Sequence, residues 1–211
     1  MVADLEKIRQ LQDALEAYEA GEGQPLIDPE LEQARAKVRE RALRLLDQRS
    51  RSRHELRERL IGNTRGINAT EGFEPELVDD VLDAFERAGL IDDELFAREW
   101  VRQRFERRGK SSAVLDLELK RKGVSDAARA AALEQISADD EAELGLSLAR
   151  KKARSIKSIP EDRLQRDKEL RKIVGVLARR GFGEAAALSV GRRALDERCE
   201  LLEQDDALDE P

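Results

Sequence analysis

Arginine and lysine are the residues of this sequence whose type and spacing could do chemistry, and they come in recurring clusters. The first is Arg49, Arg51 and Arg53, the second Arg104, Arg107, Arg108 and Lys110, and the third Arg150, Lys151, Lys152, Arg154 and Lys157. Two further groups, Lys120-Arg121-Lys122 and Arg179-Arg180, each stand directly before a glycine. Guanidinium and ammonium groups hold phosphates or carboxylates, so clusters in a repeated register are what a stripe tracking a phosphodiester backbone or an acidic protein groove requires. Aromatic side chains make up only 3% of the chain and are almost absent from the clusters. That argues against base stacking, and hence against a sequence-reading single-strand binder.

Other chemistries find little support. The single cysteine, Cys199, cannot form an intramolecular disulfide, and with one histidine, His54, it makes no zinc set. A carboxylate or serine could serve as base or nucleophile, but the common catalytic arrangements lack their histidine and cysteine partners. The expectation is a non-enzyme with no cofactor and no metal. Gly109-Lys110-Ser111 imitates the end of a phosphate-binding loop, yet the position that needs its first glycine is Arg104. Asn68-Ala69-Thr70 matches a glycosylation acceptor, but without a secretion signal it marks only a loop.

These side chains need a scaffold, and the composition names its class. Of 211 residues, 40% are charged and 40% hydrophobic, a balance suited to long amphipathic helices and unsuited to a β-sandwich. No run approaches the roughly eighteen apolar residues of a membrane span, and the first residues have no basic region followed by an apolar core, so a cytoplasmic location is expected. The net charge of −7 is unevenly spread. Residues 1–34 carry two basic and nine acidic side chains, 35–195 carry 36 and 29, and 196–211 carry one and eight. A basic body stands between two acidic ends, which are expected to solvate or mask it.

Along the chain, Leu5, Ile8, Leu11, Leu15 and Tyr18 predict an amphipathic helix over 4–20, ended by Gly21-Glu22-Gly23-Gln24-Pro25. Asp28-Pro29-Glu30 is a start signal for a long helix through Val38, Ala42, Leu45 and Leu46 that stops near residues 49–52. A pattern then recurs three times: two leucine-like residues four apart, a glycine followed by an apolar residue, and another periodic helix. Its anchors are Leu56, Leu60 and Gly72-Phe73, then Leu115, Leu119 and Gly123-Val124, then Ile173, Leu177 and Gly181-Phe182. The glycine stands where a helix end turns left-handed, and the next residue can pack back on the helix just finished. Units this small complete their cores by stacking, which predicts an all-α fold of three tandem three-helix repeats in an elongated, curved array with an added N-terminal helix. The expected divisions are 1–27, 28–90, 91–137, 138–195 and an acidic tail at 196–211.

Between the first two units lies the most specific stretch, Gly89-Leu90-Ile91-Asp92-Asp93-Glu94-Leu95-Phe96-Ala97-Arg98-Glu99-Trp100-Val101. Gly89 should end one helix, Asp92 or Asp93 cap the next, and Ile91 staple against Phe96. Phe96 and Trp100, four apart on one face, are expected to set the angle between units rather than bind a ligand.

This segment, with Arg104, Gly109-Lys110 and Glu118-Leu119-Lys120-Arg121-Lys122-Gly123-Val124, resembles the RecX family of recombinase regulators, and the likeness spans roughly residues 38–195. The resemblance implies a monomer of tandem three-helix repeats that binds the RecA recombinase filament, meeting single-stranded DNA directly or through it. It also implies a role in homologous recombination, DNA repair and the SOS response, exerted by inhibiting ATP hydrolysis and strand exchange. By position, Arg49, Arg51, Arg53, Arg104, Arg107, Arg108, Lys110, Lys120, Arg121, Lys122, Lys151, Lys152 and Arg154 are the candidate contacts. Gly89, Asp92, Asp93, Phe96, Trp100 and Gly123 are the structural positions. The segment 61–71, which lengthens the first unit, and the acidic helix before residue 35 depart from the family pattern. Two rivals remain. A groove-reading DNA regulator is disfavoured by the acidic helix carrying Asp79, Asp80 and Asp83, and a protein adaptor would recruit its partner through the N-terminal helix.

Overall fold

The computed structural model describes residues 28–62 and 72–208, with Arg9, Gln12, Leu15 and Glu16 before them. Those four positions are helical; the rest of the expected N-terminal helix, and segment 61–71 beyond Gly62, lie outside the described residues. Among the described residues there are nine helices and no strand: α1 Pro29–Gln48, α2 Arg53–Leu60, α3 Pro75–Arg87, α4 Asp93–Arg108, α5 Ser112–Arg121, α6 Asp126–Leu133, α7 Ala138–Ala153, α8 Arg163–Arg179 and α9 Glu184–Leu208. The chain is all-helical and runs in three successive groups of three.

Local chemistry explains the helix ends. Asp28 caps α1, its carboxylate accepting from the amides of Glu30 and Leu31 at 2.9 and 3.3 Å, with Pro29 at the first helical position. Asp92 caps α4 by accepting from Leu95 N at 2.8 Å, and Ile91 and Phe96 are both buried at the positions a hydrophobic staple needs. Ser137 and Asp140 form a reciprocal capping box on α7. Gly123 and Gly181 are left-handed, with φ of 71° and 89°. The amides after them return to the helix just ended, Val124 N to Leu119 O and Phe182 N to Leu177 O, both at 3.2 Å.

The first repeat makes the same bond across its insertion. Phe73 N donates to Leu60 O at 3.0 Å, so Phe73 stands where Val124 and Phe182 stand in the other two. Gly72 has no room for a side chain, because a Cβ there would collide with Ile61 O. The left-handed glycine of this turn is Gly62, with φ of 80°.

The chain divides into two compact units, residues 1–49 with 57–85 and residues 50–56 with 86–211, and the division runs through α2. In the first unit Val38, Ala42, Leu60, Val78, Val81, Leu82 and Phe85 are buried. Arg57 forks onto Asp79 at 2.7 and 2.8 Å, and Arg35 donates to Asp80 at 3.1 Å. The larger unit holds two cores. Phe96, Ala97 and Val101 of α4 join Leu115 and Leu119 of α5 and Val124, Ala128 and Ala132 around α6. Ala149 and Ala153 of α7 join Ile173 and Leu177 of α8 and Ala187, Ala194 and Leu195 of α9. Within each of these groups every helix packs on the other two, and each fully buried valine, leucine or isoleucine side chain contributes about 1.5–3 kcal/mol.

The C-terminal region differs from expectation. Residues 196–208 are not a separate acidic tail but the continuation of α9, with Cys199 and Leu202 buried in the third core. Leu195, Cys199 and Leu202 are spaced four and three apart, which extends one apolar stripe. The carboxylates between them are used: Glu197 accepts both Nε and Nη2 of Arg150 at 2.7 and 2.9 Å, and Asp196 accepts from Arg166.

Candidate protein and nucleic-acid interface

Within the larger unit the turn between the first two helices of one repeat meets the turns of the next through the same backbone positions, twice. At the first joint Ser52 Oγ donates to Lys122 O at 2.6 Å and Arg53 N donates to the Asp93 carboxylate at 2.8 Å. At the second, Ser111 N donates to Arg180 O at 2.9 Å, while Ser112 gives its amide and hydroxyl to Glu141 at 3.1 and 2.6 Å. Lys122 and Arg180 are the C-caps of α5 and α8, so in each case a helix-end carbonyl is satisfied by the preceding repeat. The glycines must be glycines here. A Cβ on Gly123 would strike His54, and one on Gly181 would strike Val114 and the Ser111 hydroxyl.

Around the first joint the basic side chains form an internal chain. Arg51 is buried and pairs with Glu55 at 3.2 Å, and Glu55 also accepts from Lys122 Nζ at 3.0 Å. Lys122 in turn lies 4.1 Å above the Trp100 ring and 5.7 Å from that of Phe96, whose centroids are 5.5 Å apart. Arg104 covers Trp100 with its guanidinium carbon 3.0 Å from the ring centroid. Trp100 Nε1 donates to Glu118 Oε2 at 3.0 Å, and Glu118 pairs also with Arg104 at 3.4 Å and with Lys110. Burial alone would raise the Glu118 carboxyl, but hydrogen bonds from Lys110 and Trp100 and the charges of Lys110 and Arg104 outweigh it and hold the group below the usual range. At Asp93 burial dominates, and the carboxyl is raised despite the Arg53 amide.

The expected contacts therefore fall into two kinds. Arg51, Arg53, Arg104, Lys110 and Lys122 are held inside the protein by carboxylates or rings, Arg53 donating to Glu86 at 2.8 Å. Arg49 is the C-cap of α1. Arg107, Arg108, Lys120, Arg121, Lys151 and Arg154 are exposed and form no ion pair with a described residue, and Lys152 is half-buried. Most of these exposed cations occupy the last turns of α4, α5 and α7, where positive charge complements the helix dipole. That supplies a structural reason for their repetition besides binding. Gly89 has φ of 70° at the end of α3, and Phe96, Trp100, Asp92, Asp93 and Gly123 take the structural places described above.

Sequence reasoning missed Ser52 and Glu55, and the structural roles of Glu118 and Gly109. Ser52-Arg53-His54-Glu55 was legible as a capping-box pattern, and Ser52 Oγ does accept from Glu55 N at 3.2 Å. Gly109 is not part of a phosphate loop. It is the left-handed C-cap of α4, with φ of 58°, buried against Leu148 and Arg180. Among the described residues no group of three or more histidine, cysteine or carboxylate side chains is placed to hold a metal, and no helix is long and apolar enough to cross a membrane.

Comparison with known proteins decides the family. Residues 92–133, which run from the Asp92 cap to the end of α6, match the family model described as RecX, second three-helix domain. The chain is 50% identical over 202 residues to "Regulatory protein RecX" of Corynebacterium efficiens, covering 94% of this chain and 92% of that protein. The chain belongs to the RecX family. The RecX regulatory protein of Streptomyces coelicolor is 37% identical over 187 residues, with 89% of this chain and 90% of the relative covered. The fold is shared with the crystal structure of RecX from Lactobacillus salivarius at a TM-score of 0.61 and 22% identity, over 78% of this chain and 97% of that one. The expected RecX-like fold of three-helix repeats is thus borne out, and its relatives carry the name of regulatory proteins rather than of enzymes.

Proposed function

We propose that this chain regulates homologous recombination and DNA repair by docking in the groove of a RecA filament on single-stranded DNA, where it hinders ATP hydrolysis and strand exchange. Membership of the RecX family carries this reading. The protein acts as a cytoplasmic monomer without a cofactor, and its repeats at 28–90, 91–137 and 138–195 engage neighbouring recombinase subunits. Arg107, Arg108, Lys120, Arg121, Lys151 and Arg154 are the cations available to acidic recombinase surface or DNA phosphates. The inwardly paired Arg51, Arg53, Arg104, Lys110 and Lys122 act indirectly, by setting the joints. Binding across subunits opposes the rearrangements that turnover needs, so inhibition should be substoichiometric. The test is RecA ATP hydrolysis on single-stranded DNA with the protein titrated below one per recombinase subunit. Inhibition at such ratios supports the reading, and hydrolysis unchanged at a full equivalent removes it.

A further inference from the structure

The connection between α7 and α8 carries a groove that none of the clusters above includes as a whole. It encloses about 400 Å³ and is lined by Lys152, Lys157, Lys168 and Lys172 with a single carboxylate, Glu169. Lys172 donates to Glu169 at 2.5 Å, whereas Lys152, Lys157 and Lys168 form no ion pair with any described residue. The wall is well anchored. Ile156 is buried in the third core, Arg198 of α9 donates to Ile156 O at 3.1 Å, Ser155 Oγ donates to Lys152 O at 2.9 Å, and Asp162 caps α8 through Gln165 N at 2.7 Å.

We infer that this groove binds the phosphate backbone of single-stranded DNA, with Lys152, Lys157 and Lys168 as its principal contacts. Three lysines with no carboxylate partner, converging on an anchored groove, hold a positive potential that only an anion offsets. The spread of the arrangement favours a strand over a free phosphate. Lys152 on α7, Lys157 in the connection and Lys168 on α8 line the same groove, so its positive charge is spread over three segments rather than focused on one point. No aromatic side chain lines the groove, so it holds the backbone without reading bases. The choice of single-stranded DNA as the source of phosphate rests on the filament reading; the phosphate chemistry does not.

The test is fluorescence anisotropy of the full chain with a labelled oligo-dT across a salt series, without recombinase, comparing wild type with Lys157→Glu/Lys168→Glu and with the milder Lys157→Gln/Lys168→Gln. Circular dichroism confirms equal helicity. The expected result is a loss of affinity of roughly tenfold or more for the Glu pair, a smaller loss for the Gln pair, and a salt slope lowered by ~1.4 for two lost phosphate contacts. Unchanged affinity and slope in both variants overturn the inference. Displacement of the oligonucleotide by millimolar inorganic phosphate at constant ionic strength overturns the strand in favour of a free phosphate. Wild type that binds no oligonucleotide yet inhibits RecA hydrolysis overturns this site and leaves the filament reading. Lysine-dependent DNA binding with hydrolysis untouched supports the site and removes that reading.

Discussion

The joint that begins at Ser52 and the joint that begins at Ser111 satisfy the same backbone groups with different atoms. A side-chain hydroxyl reaches the last carbonyl of α5 in the first, a main-chain amide that of α8 in the second. The carboxylate that receives the next amide is Asp93, at the first position of its helix, in one, and Glu141, on the first turn of α7, in the other. What persists is a helix end that needs a donor, an amide that needs an acceptor, and a left-handed glycine that lets the two turns touch. What varies is the filling. The first joint adds the chain Arg51–Glu55–Lys122–Trp100–Arg104–Glu118–Lys110, and the second seats Gly109 against Leu148 and Arg180. A repeat protein can thus diversify its side chains freely where backbone complementarity already defines the interface.

Substituting the glycines tests that constancy most severely. Gly181→Ala and Gly123→Ala should each cost about 2–4 kcal/mol in urea unfolding, combining the left-handed backbone penalty with overpacking. Gly89→Ala shares the positive φ but has open space around it, so it should cost only ~1–2 kcal/mol. Equal losses at all three sites would mean that close approach at the joints is unimportant.

The filling of the first joint is probed next. Glu118→Gln weakens the hydrogen bonds and charges that Trp100, Lys110 and Arg104 direct at the carboxylate, and should cost about 1–2 kcal/mol near neutral pH. Because the folded-state pKa is lowered, the stabilisation is present above the ordinary glutamate range and is lost as pH falls through the folded value. The gap between wild type and variant should therefore close on acidification, and a gap independent of pH would discount the ionised carboxylate.

The asymmetry of donors makes a smaller distinction. Ser52→Ala removes both the bond to Lys122 O and the one from Glu55 N, for about 1–2 kcal/mol. Ser111→Ala keeps its joint amide and loses only a 3.4 Å cap on Val114, so it should cost about 0.5 kcal/mol. Arg107→Glu/Arg108→Glu lies outside both joints and touches stability only through the helix dipole, by about 0.5–1 kcal/mol. The same charge reversal should weaken filament binding and its salt dependence, measured by co-sedimentation, with helicity unchanged.

Much of this was legible in linear order. The Leu60, Leu119 and Leu177 spacing exposed the repeat because helix ends have local chemistry: a capping carboxylate, a left-handed glycine, an apolar residue folded back. The same reading placed Phe73 with Val124 and Phe182 across an insertion, and the Phe73 to Leu60 bond bears it out. The C-terminal helix was obscured by its own charge. Eight acidic residues drew attention from the Leu195, Cys199 and Leu202 stripe, and their pairing with Arg150 and Arg166 depends on helices distant in sequence.

For the candidate contacts the division falls elsewhere. Counting cations along the chain cannot separate Arg104, pressed on Trp100, from Arg107, three residues later and exposed. Composition and periodicity determined the helical class, the three-part repeat and the helix ends, since each depends on residues within a few positions of one another. Tertiary structure alone decided which cations face inward, that Gly109 is seated against Leu148 and Arg180, and that Lys152, Lys157 and Lys168 share a groove. Charge pairing and close approach are settled by neighbours brought together from tens of residues away.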